Sequence, residues 1–102
     1  MSQRTRIASV FQLPPEGELR EFRFGSASVC VANLGGAFTA LGNVCPHLGG
    51  PLAEGSIEAG KVVCPWHGWE FGLADGRCAN HPGASVQHFE LVIEGDDVFL
   101  KS

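Results

Sequence analysis

Two short stretches constrain this chain more than anything else in it: Cys45-Pro46-His47-Leu48-Gly49-Gly50 and Cys64-Pro65-Trp66-His67-Gly68-Trp69. Each places one cysteine and one histidine within a turn's reach, so together they read C-x-H…C-x2-H. Thiolate and imidazole are the ligands that iron–sulfur clusters, zinc and copper favour, and spacings this short let both ligands of a loop converge on one centre. A fold that uses the pattern has to bring two loops distant in sequence to the same metal.

The chain has four cysteines, which in a secreted protein would read as two disulfides. The N-terminal segment argues against export. Its apolar run, residues 7–13, is broken by Ser9 and Gln12 and is too short for a signal peptide. No stretch approaches the roughly 18 to 20 apolar residues of a membrane helix. The expectation is a cytoplasmic chain with reduced thiols and no membrane contact. Seven basic against eleven acidic residues, a net charge of −4, argue against a nucleic-acid partner, which would call for a clustered basic surface. At 102 residues the chain makes one domain, 1–102, small enough for a bound metal to add appreciably to its stability.

Short β-rich runs punctuated by fourteen glycines predict a mainly antiparallel all-β fold. Strands are expected over residues 4–12, 18–24, 28–33 and 37–41, the last two joined at Leu34-Gly35-Gly36, a hairpin signal. Residues 51–54 allow one helical turn at most. Residues 56–63 read as a tight hairpin around Ala59-Gly60 that delivers Cys64, and residues 70–73 lead to a turn at Ala74-Asp75-Gly76. His81-Pro82-Gly83 opens an irregular loop, and a closing hairpin pairs residues 86–93 with 98–100. No long run has helical period.

Two ligand arrangements compete for the loops. A structural zinc would take two cysteines and two histidines in a closed tetrahedron, but zinc knuckles usually contribute like ligands in pairs. Here each loop contributes one of each kind. That mixing suits a binuclear centre, with two cysteines on one iron and two histidines on the other, the ligand set of Rieske 2Fe-2S centres. The two loops, and the continuation Glu70-Phe71-Gly72-Leu73-Ala74-Asp75-Gly76, resemble the Rieske iron–sulfur family, and the likeness extends over nearly the whole chain.

The resemblance implies a Rieske domain of antiparallel sheets, with a small cluster-binding subdomain over about residues 43–84 inserted in a β base. It implies one 2Fe-2S cluster, with Cys45 and Cys64 on the inner iron and His47 and His67 on the outer iron near the tip. Gly49, Gly50 and Gly68 would let backbone N–H groups approach the sulfides, although for Gly50 an ordinary turn role stays equally open. Leu48, Pro65 and Trp66 would form an apolar rim that limits water.

Departures from the respiratory and photosynthetic members are informative. Those members carry a further cysteine in each loop, joined as a disulfide, where this chain has Gly50 and Trp66. They also place a serine and a tyrosine after the second histidine, whose hydroxyls raise the potential; here those positions are Trp69 and Phe71. The implied protein is a low-potential, monomeric ferredoxin, not itself an enzyme. It would carry single electrons from a flavin-dependent ferredoxin reductase to a terminal oxygenase of the aromatic-ring-hydroxylating kind. The alternative is the small Rieske subunit of an assimilatory nitrite reductase.

The remaining reactive side chains carry plainer expectations. Cys30, between Val29 and Val31, reads as a buried structural thiol, and Cys78 as partly exposed near a turn. His81 and His88 read as solvent-facing or hydrogen-bonded, with His81-Pro82-Gly83 in the proline-bearing loop that overlies a Rieske cluster. Glu54, Glu58, Glu90, Glu94, Asp96 and Asp97 form a solvated acidic surface, or one that steers the protein toward a basic partner.

Overall fold

The computed structural model describes residues 4–46, 49–66 and 68–101. Among them nine strands form two sheets whose pairings are all antiparallel, the all-β architecture expected from the sequence. The strands are β1 (Arg4–Ser9), β2 (Leu19–Phe24), β3 (Ala27–Leu34), β4 (Ala37–Gly42), β5 (Ser56–Glu58), β6 (Lys61–Val63), β7 (Glu70–Gly72), β8 (His88–Glu94) and β9 (Asp97–Lys101). Six of them make one sheet in the order β1-β9-β8-β4-β3-β2, and the other three make a small sheet, β5-β6-β7. The small sheet and both cysteine loops lie in the chain between β4 and β8.

Turn chemistry sets the registers. Gly35 (φ +64°) and Gly36 (φ +87°) form the two-residue turn that pairs Leu34 with Ala37. Ala59 (φ +51°) and Gly60 (φ +76°) do the same between Glu58 and Lys61, with an alanine in a left-handed conformation that favours glycine or asparagine.

β3 explains how the core is divided. Alternate side chains of a strand point to opposite faces, and here both faces are covered. Val29 and Val31 enter the core of the large sheet with Ala8, Phe22, Ala40, Val98 and Leu100. Cys30 and Ala32 enter a second core with Leu41, Cys45, Leu52, Val62, Cys64 and Phe71. The second core therefore joins the large sheet to the loops. Leu41, Leu52 and Phe71 are fully buried there, each contributing on the order of 1.5–3 kcal/mol of transfer free energy.

Two expected boundaries move by more than one residue. The strand expected over residues 4–12 stops at Ser9, because the Ser9 hydroxyl accepts the Phe11 N–H (3.2 Å) and the Gln12 side chain accepts the Ser9 N–H (2.9 Å). This reciprocal cap winds Val10–Gln12 into a 3-10 turn. The closing hairpin begins at His88 and not at Val86, because the Val86 N–H is drawn to Gly76 O (2.8 Å) and Gln87 O accepts the Gly42 N–H (2.8 Å).

Arg4 pairs with Glu94 (2.7 Å), Arg6 with Asp97 (2.8 Å) and Lys101 with Glu90 (4.0 Å). Exposed pairs like these add little stability. Their consequence is electrostatic: three of the six acidic residues singled out above are locally neutralised on the β1-β9-β8 face.

Candidate metal centre

Both cysteine loops are closed by the same two hydrogen bonds. Leaving β4 through the buried Asn43, the chain reaches Cys45, whose N–H donates to Gly50 O (2.9 Å) and whose carbonyl accepts the Gly49 N–H (2.8 Å). Leaving β6, it reaches Cys64, whose N–H donates to Trp69 O (2.8 Å) and whose carbonyl accepts the Gly68 N–H (3.2 Å). The offsets from cysteine are identical. Gly49 (φ +78°) and Gly68 (φ +70°) occupy matching left-handed positions, which a side chain would strain.

The two cysteines lie in one buried cluster under these loops. Cys45 is 1% exposed and Cys64 2%, and the Cys45 thiol is a close enough neighbour to act on the Cys64 thiol. Burial, and then the neighbouring Cys45 thiol, push the Cys64 thiol upward; the Trp66 backbone acts in the opposite direction. An N–H directed at a ligand sulfur favours the thiolate, the form that binds metal.

Gly50 is required by close approach and not by a turn. It is buried, its φ is not left-handed, and a Cβ there would stand 3.0 Å from Cys64 Sγ and from Trp66 Cγ. The first loop thus lies directly on the second. Around them Val44 (60%) and Trp66 (47%) are exposed together with Pro46 and Pro65, an apolar rim over a buried sulfur pair.

His47, His67 and Leu48 lie outside the described residues. Among the described residues no group of three or more histidine, cysteine or carboxylate side chains could hold a metal; the described part of the candidate site is the cysteine pair. Its chemistry, two buried thiols side by side with a backbone donor, fits an iron–sulfur centre.

The other reactive groups are placed as follows. Cys30 is fully buried, as expected, and burial followed by Glu21 pushes its thiol up to about 12. Cys78 is buried (7%), correcting the expected partial exposure: the isolated bridge from Phe71 to Cys78 and the bond from Cys78 N–H to Ala84 O (3.0 Å) hold it inside. All four cysteines are free thiols. His88 is exposed at the start of β8. His81 is also exposed but stacks on Trp69, ring centroids 3.8 Å apart at 15°. Phe71, at the tyrosine position of the respiratory members, is fully buried.

Three residues that shape the loops escaped the sequence reading. Asn43 accepts the Leu52 N–H on its carbonyl (2.9 Å) and the Ala53 N–H on its side chain (2.7 Å), which closes the first loop at its base. Gly55 faces the Val63 carbonyl so closely that a Cβ would stand 1.9 Å from it. Asn80 reaches the second loop from another part of the chain. Only an asparagine beside a turn and a glycine flanking a strand hint at them, because each contact depends on tertiary placement.

The Rieske [2Fe-2S] domain family matches residues 3–90. Apoptosis-inducing factor 3 from Homo sapiens is 38% identical over 87 residues, covering 84% of this chain but 14% of that protein, so the chain spans about a seventh of that relative's length. The ferredoxin component of biphenyl 2,3-dioxygenase from Rhodococcus jostii (strain RHA1) is 34% identical over 97 residues, covering 94% of this chain and 90% of that protein. Among solved structures, the ferredoxin of carbazole 1,9a-dioxygenase from Nocardioides aromaticivorans IC177 superposes with a TM-score of 0.82 at 26% identity, covering 95% of both chains. On this match, and on the paired loops with their buried sulfurs, the chain belongs to the Rieske [2Fe-2S] domain family and takes one Rieske-type 2Fe-2S cluster.

Proposed function

We propose that the protein is a one-electron carrier, a low-potential Rieske ferredoxin that passes electrons from a flavin-dependent reductase to a terminal oxygenase of the aromatic-ring-hydroxylating kind, in the cytoplasm and as a monomer. The observation that carries this reading is the burial of the neighbouring Cys45 and Cys64 thiols beneath two loops closed by identical hydrogen bonds. Cys45 and Cys64 would hold the inner iron. His47, two residues beyond Cys45, and His67, three beyond Cys64, would hold the outer one. The subdomain carrying them would be residues 43–84, set into the large sheet.

The cluster supplies a one-electron couple when bound. The chain's own residues do the rest: Leu52, Val62 and Phe71 close the site from behind, the Trp66 backbone stabilises the Cys64 sulfur, and the exposed Val44, Pro46, Pro65 and Trp66 offer a dry contact face for a partner. The relative from the biphenyl dioxygenase system, matched over most of its length, supports the oxygenase partner. Neutralisation of Glu90, Glu94 and Asp97 leaves Glu54, Glu58 and Asp96 as the steering candidates.

Trp69 and Phe71 offer the cluster no hydroxyl donors, which supports a potential near the lower end of the Rieske range, about −150 mV; a voltammetric value above about +150 mV contradicts it. The partner reading is tested by mixing purified protein with an NADH-reduced flavoprotein reductase and an aromatic-ring oxygenase. Turnover dependent on the protein supports it. Purification only as a stoichiometric complex with a large sirohaem protein would instead establish the nitrite reductase subunit.

A further inference from the structure

Asn80 closes the second loop from outside. Its Oδ1 accepts the Glu70 N–H at 3.1 Å and the Cys78 thiol at 3.3 Å, while its Nδ2 donates to Gly68 O at 3.1 Å. Two donors on one side and a carbonyl on the other fix the orientation of the amide. The backbone on either side joins in. The Ala79 N–H donates to Glu70 O (2.7 Å), and the His81 ring lies on Trp69 (3.8 Å). Gly68, Trp69 and Glu70, the whole descending limb of the loop, are each held by residues 79–81.

The geometry points to Asn80 as the positioning residue of the second cluster loop. By bridging Gly68 O and Glu70 N–H it fixes the backbone that follows His67 in the sequence, the limb by which the second loop returns to β7. The inference rests on the reading of Cys64 and His67 as cluster ligands. Asn80 is exposed, so water can satisfy Gly68 O and Glu70 N–H when it is removed, and the buried Cys78 thiol loses only a weak sulfur donor bond. Removal of Asn80 should therefore be felt by the cluster more than by the fold. Outer partners of this kind typically alter metal retention by roughly 10- to 100-fold.

The test compares Asn80→Ala and Asn80→Asp with Val98→Ala, a control in the core of the large sheet. Asn80→Asp keeps the Oδ1 acceptor but turns a carboxylate oxygen toward Gly68 O. Cluster release is followed by loss of visible absorption under a chelator, alongside the width of the reduced-state EPR lines and the melting temperature. Both Asn80 variants should release the cluster about 10-fold faster or more, with broadened EPR lines and a smaller fall in melting temperature than Val98→Ala. Release within about twofold of wild type, or release that simply follows melting temperature across the three variants, overturns the inference. Wild-type protein that binds only zinc overturns the cluster reading and this inference with it; a normal wild-type cluster with unaffected variants overturns this inference alone.

Discussion

Gly50 of the first loop lies directly against Cys64 of the second: a Cβ on Gly50 would stand 3.0 Å from the Cys64 sulfur. The same Cβ would meet the Trp66 indole at the same distance, so no single side-chain shift relieves both contacts. Gly50→Ala should destabilise the protein by about 1–3 kcal/mol, the usual cost of forcing a group into a packed site. It should also weaken cluster retention. Urea unfolding measures the first effect, and iron per protein after purification measures the second.

Gly55→Ala should be more severe. The Val63 carbonyl would lie 1.9 Å from the new methyl, and Val63 is the last residue of β6 before Cys64. Because the obstacle is backbone, β5 and β6 must separate or the chain must bend. The expected result is loss of at least about 3 kcal/mol, at or beyond the top of the usual overpacking range, and protein that purifies without visible absorption. A variant with wild-type melting and full colour would contradict the assigned approach.

Ala59→Asn should stabilise. Ala59 holds φ +51° at the first position of a two-residue hairpin turn and is exposed. Asparagine followed by glycine is the preferred pair for such a turn, and relief of left-handed strain is worth on the order of 1 kcal/mol. A rise in melting temperature is the expected observation.

These positions show what could be read from sequence and what could not. The turns at Gly35-Gly36 and Ala59-Gly60, the alternation that buries Cys30, and the paired cysteine loops were legible because each is encoded within a few residues. The stop of β1 at Ser9 was missed because a local serine–glutamine cap outweighed the apolar run. Gly55, Asn43 and Asn80 were not legible: their partners are carbonyls and N–H groups brought near only by the fold. The burial of Cys78 has the same origin.

Cys30 gives a pH-dependent expectation. Its thiol is pushed up to about 12 from an ordinary value of 9.0, by burial and then by Glu21. Below that ordinary value the thiol is neutral in both folded and unfolded chains and contributes no pH dependence. Above it the unfolded chain releases the proton while the folded chain retains it, so stability falls by about 1.4 kcal/mol per pH unit until the folded thiol also ionises. Unfolding curves across this alkaline window should be steeper in pH for wild type than for Cys30→Ala. In native protein Cys30 should also resist alkylation at neutral pH.

The central claim, that Cys45, His47, Cys64 and His67 hold one Rieske cluster, is tested most directly by pulsed EPR of the dithionite-reduced protein carrying 15N-labelled histidine. Two inequivalent histidine nitrogens coupled to the 2Fe-2S spin, with one coupling lost in each of His47→Cys and His67→Cys, are the expected result. A 2Fe-2S signal without histidine coupling, or a colourless protein containing only zinc, would contradict it.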